Sequence, residues 1–122
     1  MRKILVTGGS GFIGTNFINL LSKKNFNILN IDKLSNVSTA EKFKKIACYK
    51  KYKFINNNLQ NIDYIYKILS KFKPDIIVNF AAESHVDRSI NDPLYFIKNN
   101  INASSNLFFA YSKFFCQSAK LL

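Results

Sequence analysis

The sequence predicts an α/β fold, a parallel sheet with helices on both faces, incomplete at about four strands. Three observations lead there. Short apolar runs alternate with segments of helical periodicity along the whole chain. All four glycines fall between Gly8 and Gly14, directly after the first apolar run. The second apolar run ends in an acid, Asp32.

Ile4-Leu5-Val6 is the first strand, and Phe17, Ile18, Leu20 and Leu21 recur as on one face of a helix. Between them lies Gly8-Gly9-Ser10-Gly11-Phe12-Ile13-Gly14, which satisfies G-x-G-x-x-G from Gly9 and G-x-x-G-x-x-G from Gly8. Average usage of about 7% would scatter roughly twice as many glycines along such a chain. Strand, glycine turn and helix in this order form a dinucleotide fingerprint. Without a Cβ the turn can take unusual φ values and come close to a pyrophosphate, and the helix N-terminus offers N–H groups to the anion.

Asn27 to Asp32 reads as a second strand, with its acid 18 residues after Gly14. A carboxylate there accepts hydrogen bonds from the adenosine ribose and repels a 2′-phosphate, which predicts NAD in preference to NADP. Lys33 beside it softens that preference. Thr39 to Cys48 predicts a short helix with Phe43, Ile46 and Ala47 on one face, and Tyr52 to Asn56 a third strand. Ile62, Ile65, Ile68, Leu69 and Phe72 then repeat at helical spacing up to Pro74. Asp75 to Phe80 is nearly continuous in apolar residues, as a buried parallel strand is. Asp92-Pro93, a cap followed by a first-turn proline, opens a long helix through Phe96, Ile97, Ile101, Leu107, Phe108 and Tyr111.

Alternation of this kind implies right-handed crossovers and a Rossmann-type sheet. The strand order 3-2-1-4-5-6 would set residues 75–80 between the first strand and a fifth. No fifth strand is expected in the chain, so Ile76-Ile77-Val78 is expected on an open edge.

With 122 residues, 48% of them hydrophobic and 20% charged, the chain has the size and balance of one globular domain. No apolar stretch is long enough to cross a membrane, and the start Met1-Arg2-Lys3 leads into too short an apolar run for a secretory signal, so a cytoplasmic, soluble protein is expected. Cys48 and Cys116 have neither disulfide-framework nor metal spacing and are expected to be buried, with no metal site. The net charge of +11 would suit nucleic acid, but all but two of the 18 basic residues are Lys. Lys, Asn and Ile, all encoded by A/T-rich codons, dominate the composition, so codon drift accounts for the charge. Neither a nucleic-acid nor a membrane partner is expected. The run Lys42, Lys44, Lys45, Lys50, Lys51 and Lys53 reads as a solvated face, with an electrostatic partner site as the alternative.

After the fourth strand comes Ala81-Ala82-Glu83-Ser84-His85-Val86-Asp87-Arg88-Ser89-Ile90. With the glycine pattern, Asp32-Lys33-Leu34-Ser35 and Pro93 through Ile101, this string resembles the dTDP-glucose 4,6-dehydratases of the extended short-chain dehydrogenase/reductase class. The resemblance implies a bound NAD that is restored each cycle: hydride leaves sugar C4, water is eliminated across C5 and C6, and the hydride returns to C6. It implies that Gly8, Gly11, Phe12, Ile13 and Gly14 hold the pyrophosphate, and that Asp32, Lys33, Leu34 and Ser35 hold the adenosine ribose. Phe80, Ala81, Ala82 and Glu83 would line the cofactor after the fourth strand. Ser84 would face the substrate; His85 either joins it there or satisfies a loop hydrogen bond. The adenine and nicotinamide contacts would fall to Asn58-Leu59 and Asn99, where the family usually has an acid and a Thr.

The family's catalytic Tyr-x-x-x-Lys pair and its acid/base segment come later than residue 122. Residues 1–122 are therefore expected to be the N-terminal portion of an NAD-binding domain, without the substrate domain or a catalytic residue. Tyr49 and Lys53 match the spacing, but they straddle the start of a strand and cannot share one helical face. Ser84, His85 and Asp87 are too close in sequence to converge as a hydrolytic triad. The resemblance further implies a nucleotide-sugar substrate, dTDP-glucose by analogy, and a homodimer for the full-length family. An epimerase or decarboxylase of the same class, or a non-catalytic NAD-binding module, stays open as an alternative.

Overall fold

The computed structural model describes residues 1–34, 46, 48–82, 90–114 and 120–121. The sheet is parallel throughout, in the order β3-β2-β1-β4-β5. Its strands are β1 (Lys3–Thr7), β2 (Asn27–Asp32), β3 (Tyr52–Asn56), β4 (Ile76–Asn79) and β5 (Lys120–Leu121). The described helices are α1 (Phe12–Ser22), α2 (Ile62–Phe72) and α3 (Pro93–Phe114). The four expected strands are present, and one expectation needs correction. The edge of β4 is not fully open, because β5 pairs Ile76 with Lys120 and Ile77 with Leu121. Two residues are too short a run for any periodicity to reveal.

Period-two side-chain alternation puts Ile4 and Val6 on one face of the sheet and Leu5 on the other. Ile4 and Val6 pack with Ile18 and Leu21 of α1, with Ile28, and with Val78. Leu5 packs with Leu29, Ile31 and Ile77 against Ile65 and Leu69 of α2 and Leu107 and Ala110 of α3. Both faces of β1 are thus dry, which is why its sequence is a continuous apolar run.

The helix ends follow local chemistry. Asn61 caps α2 by accepting from the Tyr64 N–H at 3.0 Å. Lys73, left-handed at φ 51°, turns the chain out of α2 ahead of Pro74. Asp92 accepts from the Tyr95 N–H at 3.1 Å and starts α3 as the sequence predicts.

Most of the expected Thr39–Cys48 helix lies outside the described residues, though Ile46 is helical and buried. Cys48 is exposed, contrary to expectation. It stands in the turn entering β3, where Ile46 already fills the core on that side. Cys116 lies outside the described residues.

Candidate dinucleotide site

The C-terminal ends of β1, β2 and β4 meet where the strand order reverses, the place at which open α/β sheets bind ligands. There β1 and β4 are tied together. Thr7 Oγ1 donates to Asn79 Oδ1 at 2.5 Å, the Phe80 N–H donates to the Thr7 carbonyl at 2.8 Å, and Asn79 Oδ1 also accepts from the Ala81 N–H. Beyond this tie the chains diverge around a cavity of about 650 Å³.

The floor of the cavity is the glycine turn. Gly8 has φ +68°, and a Cβ on it would lie 2.5 Å from the Ala81 nitrogen, so both the turn and the approach of the β4 loop require glycine. At Gly14 a Cβ would lie 2.5 Å from the Gly8 carbonyl oxygen, which lets α1 sit directly on the turn. Gly11 differs. Its backbone is ordinary extended chain, and a Cβ there would meet only the Gly8 carbonyl oxygen, at 3.5 Å. Nothing in the fold forbids a side chain at Gly11; its missing Cβ leaves room at the cavity wall. Gly11 is also the N-cap of α1, with no side chain to satisfy the first N–H groups and no acid in the first turn. The positive end of the helix dipole therefore faces the cavity with no acid in the helix's own first turn. Phe12 and Ile13 line the cavity with largely exposed side chains.

Asp32 closes β2. Its Oδ2 accepts from the Ser10 N–H at 2.9 Å and its Oδ1 from the Leu34 N–H at 2.8 Å, with Leu34 at φ 53° turning the chain away. Each oxygen keeps a second lone pair for a ligand hydroxyl. Lys33 and Leu34 line the same wall. Across from them, Asn58 Oδ1 accepts from the Gln60 N–H at 3.1 Å, and Gln60 Nε2 reaches Asn99 Oδ1 at 3.4 Å. Leu59 lines the cavity from within the core. Phe80, Ala81 and Ala82 form the side nearest β4, where Phe80 meets Phe17 edge to face with ring centres 5.4 Å apart.

The structure thus gathers Gly8, Gly11, Phe12, Ile13, Gly14, Asp32, Lys33, Leu34, Asn58, Leu59, Phe80, Ala81, Ala82 and Asn99 around one cavity. Ser35, Glu83, Ser84 and His85 lie outside the described residues. Sequence reasoning missed Gln60, Tyr95, Asn100 and Ala103, which also line it. The last three stand on the α3 face turned toward the cavity, and the spacing from Tyr95 to Asn99 and from Asn99 to Ala103 could have pointed to them. Tyr49 and Lys53 are not part of this site. The Tyr49 hydroxyl donates to the Phe26 carbonyl at 2.8 Å, beside the opposite, N-terminal end of β2, while Lys53 is on β3.

A glycine turn on a helix N-terminus, an acid at the end of β2 and a cavity at the strand-order reversal define a dinucleotide-binding Rossmann domain. Comparison with known proteins narrows the class. Residues 5–121 match the profile of the GDP-mannose 4,6 dehydratase family, and the chain belongs to that family. The dTDP-glucose 4,6-dehydratase of Escherichia coli is 40% identical over 100 residues, which is 81% of this chain and 28% of that enzyme. Among solved structures, the dTDP-glucose 4,6-dehydratase of Bacillus anthracis in complex with NAD superposes with a TM-score of 0.81 at 29% identity, over 99% of this chain and 36% of that one. The UDP-Glc/GlcNAc 4-epimerase of Campylobacter jejuni gives a TM-score of 0.83 at 28% identity, over 93% of this chain and 34% of that one. The chain therefore spans about a third of the length of these relatives. The resemblance to the dTDP-glucose 4,6-dehydratases and the Rossmann-type fold read from the sequence are both borne out, and NAD, the expected cofactor, is what the Bacillus anthracis enzyme holds. No described helix is long and apolar enough to cross a membrane.

Proposed function

We propose that this chain is the NAD-binding portion of a nucleotide-sugar 4,6-dehydratase. The observation that carries the cofactor reading is Gly11, where the fold tolerates a side chain and the cavity has the room that its missing Cβ leaves. In this reading the pyrophosphate lies on the first N–H groups of α1, the adenosine ribose hydrogen-bonds to Asp32, and the adenine lies against Asn58 and Leu59. The nicotinamide extends over Ala81 and Ala82, and by the family resemblance Glu83 would line the cofactor and Ser84 would face the sugar nucleotide, with His85 either beside it or in a loop hydrogen bond. When bound, NAD supplies a hydride acceptor that is regenerated within each cycle. This chain's residues hold and orient it, and the proton chemistry belongs to the Tyr-x-x-x-Lys and acid/base segments of the longer family chains. A dTDP-sugar substrate is supported by the relatives' names, and a homodimer by the family resemblance. A 4-epimerase is the second reading, favoured by the Campylobacter jejuni superposition.

Titration calorimetry tests the cofactor reading. NAD should bind more tightly than NADP, and Asp32→Ala should weaken NAD by about tenfold while narrowing the gap to NADP. Equal affinities for the two cofactors would refute the assignment of Asp32. The chain by itself should convert no dTDP-glucose to a 4-keto-6-deoxy product, and any such product from pure protein would bring Tyr49 and Lys53 back into consideration.

A further inference from the structure

Asn30 is an amide in the middle of an apolar strand, wholly buried, and flanked by Leu29 and Ile31. Its oxygen accepts from the Gly9 N–H at 3.0 Å. Because Gly9 N–H can only donate, the orientation of the carboxamide is fixed. Its nitrogen must then donate, to the Tyr52 hydroxyl at 3.0 Å and to Ser10 Oγ at 3.4 Å. On the other side of the turn, Thr15 Oγ1 donates to the Gly9 carbonyl at 3.2 Å. A Cβ on Gly9 would run into the Asn30 side chain, so glycine and amide are fitted to each other. No buried side-chain polar atom is left without a partner among the described residues.

Three successive residues of β2 thus grip three successive residues of the turn. The Gly8 N–H donates to the Ile31 carbonyl at 2.9 Å, the Gly9 N–H to the Asn30 side chain, and the Ser10 N–H to the Asp32 side chain. Of the two side chains that grip the turn, that of Asn30 is wholly buried and also hydrogen-bonds a β3 side chain, the Tyr52 hydroxyl. We propose that Asn30 is the positioning residue of the phosphate-binding turn, held in one orientation by Tyr52 and holding Gly9 and Ser10 where a pyrophosphate can meet the start of α1. Burial pushes the Tyr52 phenol up to about 12, so it stays protonated and neutral beside Asn30 at physiological pH. The role in ligand binding rests on the dinucleotide reading above; the role in ordering the turn does not.

The test separates the two. In Asn30→Leu, which keeps the volume and removes the amide, hydrogen exchange at the Gly9 and Ser10 amides should accelerate about tenfold or more while Leu5 and Ile77 amides keep their protection. Affinity for ADP, which reaches the turn through its phosphates, should fall about tenfold, whereas affinity for adenosine should change less than twofold. Tyr52→Phe should give the same pattern at about threefold, and it carries the test if Asn30→Leu fails to fold. Unchanged exchange at Gly9, or an equal loss of ADP and adenosine, would overturn the proposal. Failure of the unsubstituted chain to bind either ligand would refute the dinucleotide reading, with the exchange measurement still deciding the role of Asn30.

Discussion

The two sides of the sheet's midline are built differently. Around β1, α1 and β2 the polar groups of the turn are satisfied by the chain itself, through Asn30, Asp32 and Thr15, and the apolar residues of β1 and β2 are buried. Around β4 and α3 the strand is buried in the same way, but the helix is apolar on two faces and covered on one. α3 buries Leu107 and Ala110 against the sheet, but Leu94, Ile97, Ile101 and Phe108, which recur on its other face, are 55–77% exposed. A helix apolar on both faces belongs in a setting with neighbours on both. The glycine-turn half is thus self-contained, while the α3 half presents an exposed apolar surface.

That contrast can be broken most forcefully at the turn. Gly8→Ala places a side chain at positive φ and against the β4 loop, and should cost about 2 to 3 kcal/mol of stability in urea melts. Gly11→Ala should leave the melt within about 0.5 kcal/mol and weaken NAD binding severalfold. If both substitutions destabilise equally, Gly11 is a structural glycine and the argument for the cavity wall fails. On the other side, Ile97→Lys with Ile101→Lys should reduce self-association in sedimentation velocity without lowering NAD affinity. Unchanged sedimentation would show that the exposed stripe of α3 draws no second copy.

The smallest expected effect is on pH dependence, and it sharpens the role of Tyr52. Its phenol is raised to about 12, first by desolvation and further by the Asp32 charge, against a lowering by the Asn30 hydrogen bond. In the unfolded chain the same group ionises near its ordinary value of 10. The unfolded state therefore releases this proton first, so the group's contribution is intact below pH 10 and is lost as pH rises toward 12. Urea midpoints measured from pH 9 to 11 should fall more steeply for the unsubstituted chain than for Tyr52→Phe.

Much of this was legible in the residues. The glycine window, the acid ending β2 and the apolar run of β4 each follow from a local requirement: a turn without Cβ, an acceptor for the Ser10 and Leu34 N–H groups, a strand buried on both faces. Asn30 was not read, although a polar residue inside such a strand signals a buried partner, because that partner is set by the position of the turn above β2 and by the register that brings Tyr52 opposite Ile28. Gln60 is brought to the site only by the docking of α3 beside the loop after β3, whereas Tyr95 and Ala103 share a helical face with Asn99 that the sequence already carries. The length of β5 and the exposure of Cys48 depend on tertiary packing that no local pattern encodes.

The central claim is that the turn, the end of β2 and the loop after β4 form one dinucleotide groove. Amide chemical-shift mapping during titration with NAD addresses it directly. Shifts should concentrate at Gly11 to Gly14, Asp32 to Leu34, Asn58, and Ala81 to Ala82, with Tyr49 to Lys53 unmoved. Shifts confined to the lysines around Lys50 and Lys51, or none at saturating NAD, would contradict the account.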